Sequence, residues 1–370
     1  MRFTAKRQAL LEAFQVVGTI IPSRPIRAIL SHVHLVVDDA SRARLEATDL
    51  ELSIRFDVPL ERVDAVGEAV LPASRVASIL RECTTDTVDF SSDELGKVRI
   101  EAGRAAFNLL SESPEEFPHL PEFPSDRAFG LDRQKLVTLI RKTQFAVARE
   151  KSRFAFNGAK LLIEGDVARM VATDGKRLAM KEVGIDGSDA VSAGPIVPAR
   201  ALAVFEKVMT DEDDTVRMAL DDKEIMLHTT RAVISSRLVE GSFPNYQAVI
   251  PKETPIRVRF SREELASAFR QAALLTSHET RSVRFELAEG VARLSAHALD
   301  AGDARIEVDA PDFEGEAFAI AFNPDYVIEG LKVFDADEVE LGFSRPNAPA
   351  VVRGEEGLIY VIMPVTMRNG

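Results

Sequence analysis

The chain has one cysteine, no tryptophan and three tyrosines in 370 residues. A single Cys83 excludes an intramolecular disulfide framework and fits a reducing compartment. Its place after Val76, Ile79 and Leu80 at helical spacing reads as a small core residue. No apolar run approaches the roughly 18 residues that span a bilayer. The opening MRFTAKRQALLEAF is amphipathic from its first turn and has no apolar signal core, so the expected location is the cytoplasm, away from any membrane. There is no GxxxxGK[ST] loop, no GxGxxG after a strand and no GxSxG elbow, which leaves nucleotide binding and acyl transfer without motif support. The six histidines are scattered. Only His32 and His34 lie close together, at strand spacing on one face, where a packed or solvated pair outweighs a metal site. Neither a metal nor a cofactor is expected.

What the chain does have is internal repetition. EATDLELSIR (46–55) is echoed by VATDGKRLAM (171–180), and the echo extends in both directions. VLPASRVASILREC (70–83) matches IVPARALAVFEKVM (196–209), and SESPEEFPHLP (111–121) matches VEGSFPNYQAVIP (239–251) through a shared Phe-Pro. A third, more worn copy runs through VRFELAEGVARLSAHALDAGDARIEV (283–308) and IAFNPDYVIEGLKVF (320–334), with Ala296-His297-Ala298 where the Thr-Asp pair would stand. Each copy opens alike, with FTAKRQALLEAF (3–14), FGLDRQKLVTLI (129–140) and VRFSREELASAF (258–269). Three units of roughly 125 residues therefore fill the chain.

Each unit alternates short strands with two amphipathic helices, the pattern of an α+β domain with antiparallel sheet on one side and helices on the other. Ser261, followed by Arg262-Glu263-Glu264, reads as a helix N-cap with acids in the first turn. The Pro-rich stretches 114–124 and 251–255 are natural linkers, which sets domains at 1–124, 125–251 and 252–370. Asp49 and Asp174 could be taken as paired carboxylates for acid–base work, but each ends a strand at a turn, where aspartate caps backbone amides, and the third unit has Ala298 there. No catalysis is expected. The left-handed turn that Gly175 permits is one that Leu50 would resist, so the two copies are expected to differ at this turn.

The net charge of −13 argues against nonspecific adhesion to polyanions, yet its distribution matters more than its total. The predicted helices at 5–15, 73–83, 133–144, 199–209, 262–270 and 325–334 together carry +6, and the remainder −19. Arg133, Arg141, Lys142, Arg200 and Lys207 are spaced to lie opposite the apolar stripes. A basic layer on an acidic body would hold a polyanion through phosphate charge without reading bases.

Three repeats, the opening FTAKRQALLEAFQVV, the central ATDGKRLA, then LVEGSFPNY and a terminal YVIMPV together resemble the bacterial sliding clamp, the beta subunit of DNA polymerase III. The resemblance covers the whole chain. It implies a head-to-tail homodimer whose six similar domains form a ring, helices inside and sheets outside, around duplex DNA. It also implies a non-catalytic processivity factor that tethers polymerase subunits, the clamp loader and repair proteins through short peptides. The DNA contacts it implies are Arg24, Arg81, Arg149, Lys151, Arg153, Arg200 and Lys207. Phe154 and Ala155 stand where other members often carry tyrosines. The partner groove it implies gathers Phe156, Thr173, Gly175, Lys176, Arg177, Leu178, Pro244, Val249, Tyr326, Val361, Met363, Pro364 and Val365. From the residues alone, Val361 and Met363 read equally well as alternating core positions of a last strand. The implied dimer contact sets Phe107 and Leu109 against Leu274 and Leu275, with Arg104 facing Asp300 and Asp303. Ala106 lacks the second basic residue that others have. The tail TMRNG runs a few residues past the family's usual ending. The competing reading is a repeat-built interaction scaffold with no DNA function.

Overall fold

The computed structural model describes residues 1–93, 96–148, 155–186, 194–277, 281–298, 301–313, 315–345 and 347–366. Among these are six α-helices, two per repeat: α1 (Arg7–Gly18), α2 (Ala73–Glu82), α3 (Arg133–Thr143), α4 (Ala199–Val208), α5 (Arg262–Ala273) and α6 (Pro324–Leu331). Each begins as a strand ends, because the apolar period changes from two to near four. The Ser261 hydroxyl accepts the Glu264 amide at the start of α5, and Asn323 accepts the Asp325 amide beside Pro324 at the start of α6. None of the helices is long and apolar enough to cross a membrane.

The strands are antiparallel throughout and do not respect the repeat boundaries. Strand Leu52–Pro59 of the first repeat pairs with Ala232–Arg237, the last strand of the second, so four strands from each merge into one eight-stranded sheet. The same event recurs one repeat later, where Arg177–Gly184 pairs with Leu358–Ile362 in a second eight-stranded sheet. This is why the chain, built of three repeats, divides into two compact units, Met1–Gln134 with Arg200–Leu238, and Lys135–Ala199 with Val239–Gly370. Backbone pairing across each junction outweighs the sequence boundary. Two half-sheets remain. In one, Ala105–Leu110 is an edge strand; in the other, Gly302–Ala310 is.

Phenylalanines fill the cores. Phe3 stacks on Phe90 with centroids 5.0 Å apart, and Phe269 stacks on Phe285 at 5.9 Å; all four are buried. Each such side chain contributes about 1.5–3 kcal/mol through burial.

Three sequence readings need correction. Cys83 is not a core residue: it caps the C-terminus of α2, half-buried, because the stripe ends at Leu80. Lys142 does not face solvent. It is buried, and its ammonium donates to Val333 O at 2.5 Å, Asp335 at 2.7 Å and Glu355 at 2.9 Å. Lys181, also buried, donates to the other oxygen of Glu355 at 2.9 Å. A buried ammonium persists only where carboxylates and carbonyls replace its hydration. Arg133, likewise, is mostly covered and pairs with Asp211 at 2.8 Å.

His34 lies between two carboxylates, with Nδ1 3.1 Å from Glu46 and Nε2 2.7 Å from Glu68, and its ring tilts against Phe117. Burial pulls its proton affinity down, but the two glutamates outweigh that and raise it above the ordinary 6.5. Among the described residues no group of three His, Cys, Asp or Glu side chains is arranged to hold a metal.

Candidate partner groove and charged surfaces

The Thr-Asp pair builds the same turn twice. In the second repeat, Thr173 Oγ1 donates to Arg177 O at 2.6 Å and accepts the Gly175 amide at 3.1 Å, while Asp174 Oδ1 accepts the amides of Lys176 and Arg177 at 2.9 and 3.0 Å. In the first, Thr48 bonds Leu52 O and the Leu50 amide, and Asp49 Oδ1 accepts the amides of Glu51 and Leu52. These aspartates are turn caps, satisfied by backbone.

Leu50 does not resist the turn. Its φ is 78°, against 83° for Gly175. The network of four side-chain-to-backbone bonds over-determines the turn and holds a leucine in left-handed backbone. Gly175 is thus not what makes the turn possible. What it does is leave the space beside Phe156 open: a Cβ there would come to 3.5 Å from that ring.

That space is a cavity of about 100 Å³ within the second unit. Phe156, Thr173, Gly175, Arg177 and Leu178 line it, joined by Pro244, Val249, Val361 and Met363. The Leu178–Val361 pairing brings residues far apart in sequence onto one floor. Val361 is at once a core residue and a groove residue, since it is fully buried and still lines the cavity. Tyr246 lines it too and was not singled out from sequence, although the FPNY stretch contains it.

Four other expected groove residues stand around the lining. Lys176 is exposed on the turn, and its carbonyl accepts the Met363 amide at 2.9 Å. Pro364 follows Met363, and the Val365 amide donates to Ala321 O at 2.8 Å. Tyr326 packs on the Arg177 guanidinium, 4.8 Å from carbon to ring centre. Arg177 is itself buried and held on three sides, Nε to Asp174 at 3.1 Å, Nη1 to Glu329 at 2.5 Å and Nη2 to Phe145 O at 2.8 Å. Burial disfavours its charge, but Glu329, Asp174 and Tyr360 more than restore it. The result is an apolar slot beside a wall held rigid by the Arg177 ion pairs, suited to a short peptide with hydrophobic anchors.

Of the expected DNA contacts, Arg24, Arg81, Arg200 and Lys207 are exposed and all belong to the first unit. Arg200 is tied down: it donates to the Asp49 carboxylate and to Ile20 O, beside the loop that carries Arg24. Arg149, Lys151 and Arg153 lie outside the described residues, as does Phe154; Ala155 is buried.

At the free edges, Leu109 is buried in the core and its neighbour Leu110 takes the surface position, 78% exposed. The alternation of the strand decides this, since adjacent side chains point to opposite faces. Phe107 is half-buried and Arg104 exposed. On the other unit Leu274 is 80% exposed at the end of α5, Leu275 half-buried and Asp303 exposed; Asp300 lies outside the described residues.

Repeated α+β domains that share sheets across their boundaries define the DNA-clamp class of fold. The family models agree repeat by repeat: the N-terminal domain of the DNA polymerase III beta subunit matches residues 1–121, the central domain 130–245 and the C-terminal domain 247–366. The beta sliding clamp of Pseudomonas putida is 32% identical over 370 residues, covering 99% of this chain and all of the relative; that of Chlamydia pneumoniae is 30% identical over 369 residues, covering both chains fully. A crystal structure of the DNA polymerase III beta subunit from Pseudomonas aeruginosa superposes with a TM-score of 0.92 at 31% identity, over 99% of this chain and all of that one. The clamp from Bacillus subtilis gives 0.92 at 25% identity over both whole chains. The chain belongs to the DNA polymerase III beta subunit family, the beta sliding clamps, and its function is that of a processivity clamp.

Proposed function

We propose that two copies of this chain join head to tail and close a ring of six domains around duplex DNA. The ring holds the duplex without reading its sequence and catalyses nothing itself, working in the bacterial cytoplasm. Domain limits of 1–124, 125–251 and 252–370 suit this reading. One observation carries it. At both junctions inside the chain, the last strand of one repeat adds to the strand that follows the Thr-Asp position in its neighbour. The two strands left over are the matching pair: Ala105–Leu110 ends the first repeat, and Gly302–Ala310 occupies the post-turn place in the third. An open edge seeks a partner, and a heterologous contact that closes makes a ring.

In this reading Arg24, Arg81, Arg200 and Lys207 face the phosphates, with Arg149, Lys151 and Arg153 beside them. The slot around Leu178 and Val361 takes peptides of polymerase subunits, the clamp loader and repair proteins. A tethered polymerase then stays at high effective concentration near its template. The scaffold alternative loses its motive, since all three repeats match clamp domains.

Two measurements test the proposal. Solution mass should be twice 40.6 kDa. Protein loaded on nicked circular DNA by its loader should be released when the circle is linearised. Retention on the linear form would sink the ring.

A further inference from the structure

The apolar groove has a positional twin at the other junction. A cavity of about 200 Å³ in the first unit is lined by Leu50, Glu51, Ser53, Leu120, Ser235 and Arg237, among others. The correspondence is atom-level in the backbone: the Arg237 amide donates to Glu51 O at 2.8 Å as the Met363 amide donates to Lys176 O at 2.9 Å. Ser53 pairs with Ser235 in register as Leu178 pairs with Val361. The chemistry, however, is inverted. Two serines replace the apolar floor, Glu51 replaces Lys176 on the rim, and Arg237 replaces Met363.

Ser53 is 7% exposed, and its hydroxyl lines the cavity with no hydrogen-bond partner among the described residues. Ser235 donates to Glu224, whose carboxylate also lines the space. The Ser53 hydroxyl therefore opens onto the cavity, where a bound group can take its hydrogen bond in place of water. Glu224 further lines an adjoining cavity with Glu122, Asp221 and Arg127. The two cavities share Glu224, and their linings together carry four carboxylates and two guanidiniums.

We propose that this twin is a second peptide site, and that it takes a short extended segment anchored by a lysine or arginine. The basic side chain reaches Glu224 past the Ser53 and Ser235 hydroxyls, and an apolar neighbour rests on Leu50 and Leu120. Arg237 and Arg127 bracket the segment and bind its carbonyls. One chain thus offers an apolar-anchor site in the second unit and a basic-anchor site in the first, so two partners of different chemistry sit on one clamp. The peptide reading of the twin rests on that of the apolar groove.

The test titrates the full-length protein calorimetrically with three acetylated, amidated tetrapeptides, Ser-Lys-Leu-Ser, Ser-Glu-Leu-Ser and Ala-Leu-Val-Leu. The lysine peptide should bind once per chain, at least tenfold tighter than the glutamate one. Glu224→Gln, and separately Glu51→Lys on the exposed turn, should each weaken it about tenfold while leaving Ala-Leu-Val-Leu unaffected. Equal binding of the lysine and glutamate peptides, no lysine-peptide binding, or indifference to both variants overturns the proposal. Failure of Ala-Leu-Val-Leu alone would instead strike the apolar groove reading.

Discussion

Arg177 lies with its guanidinium carbon 4.8 Å above the Tyr326 ring while its Nη1 donates to Glu329 at 2.5 Å. One buried cation therefore joins the turn at Asp174, helix α6 and the groove wall. Arg177→Gln should leave Asp174 and Glu329 short of a countercharge and cost on the order of 2 kcal/mol, less than a wholly buried pair because Glu329 is partly exposed. Peptide affinity at the groove should fall more steeply than stability, because Tyr326 loses its support. Urea midpoints and peptide titration separate the two; equal loss in both would deny Arg177 its positioning role.

Gly175→Ala should cost about 1 kcal/mol, from left-handed backbone rather than collision, since the new Cβ sits at ordinary contact distance from Phe156. Leu50 already bears that strain, so Leu50→Gly should not destabilise the fold beyond a few tenths of a kcal/mol. Denaturant midpoints of both variants decide it. A large loss in Leu50→Gly would mean the leucine side chain, not the turn, is what the fold uses.

Lys142→Met should destabilise by about 3 kcal/mol, because Glu355 keeps its burial but loses one of two ammonium partners. Burial pushes the Glu355 carboxyl up, yet hydrogen bonds from Lys142 and Lys181 prevail and hold it below the ordinary 4.5. A depressed folded value means stability that is present above the unfolded value and lost as pH falls through the folded one. Acid titration of unfolding should therefore show a weaker drop below about pH 4.5 in the variant than in the parent.

His34 works with the opposite sign. Its folded value is raised above 6.5, so its contribution is complete below that pH and disappears as pH rises through the folded value. His34→Gln should flatten the stability profile on the alkaline side of 6.5. An unchanged slope would show that Glu46 and Glu68 do not hold the imidazolium.

Leu274→Asp should shift the protein toward monomer at micromolar concentration while its urea midpoint stays put, because an 80% exposed leucine supports no intrachain core. Sedimentation velocity reads the mass. An intact dimer would remove Leu274 from the interface.

The amino-acid sequence by itself determined what depends on neighbours within a few residues. The helix starts at Ser261 and Asn323, the Thr-Asp turns and the threefold repeat follow from side chains that bond their own backbone or recur at a fixed period. Even there the left-handed Leu50 escaped, since four hydrogen bonds acting together overrode a single-residue preference. Only the tertiary structure decided the rest. Lys142 looks like a solvated helix residue until partners 193 and 213 positions away arrive to desolvate it. Leu178 and Val361 form a floor only because their strands pair across a repeat boundary. The same pairing sets Ser53 against Ser235, so one backbone junction carries an apolar groove in one unit and a polar one in the other. Strand register is a long-range property, and no local pattern states which edge will meet which.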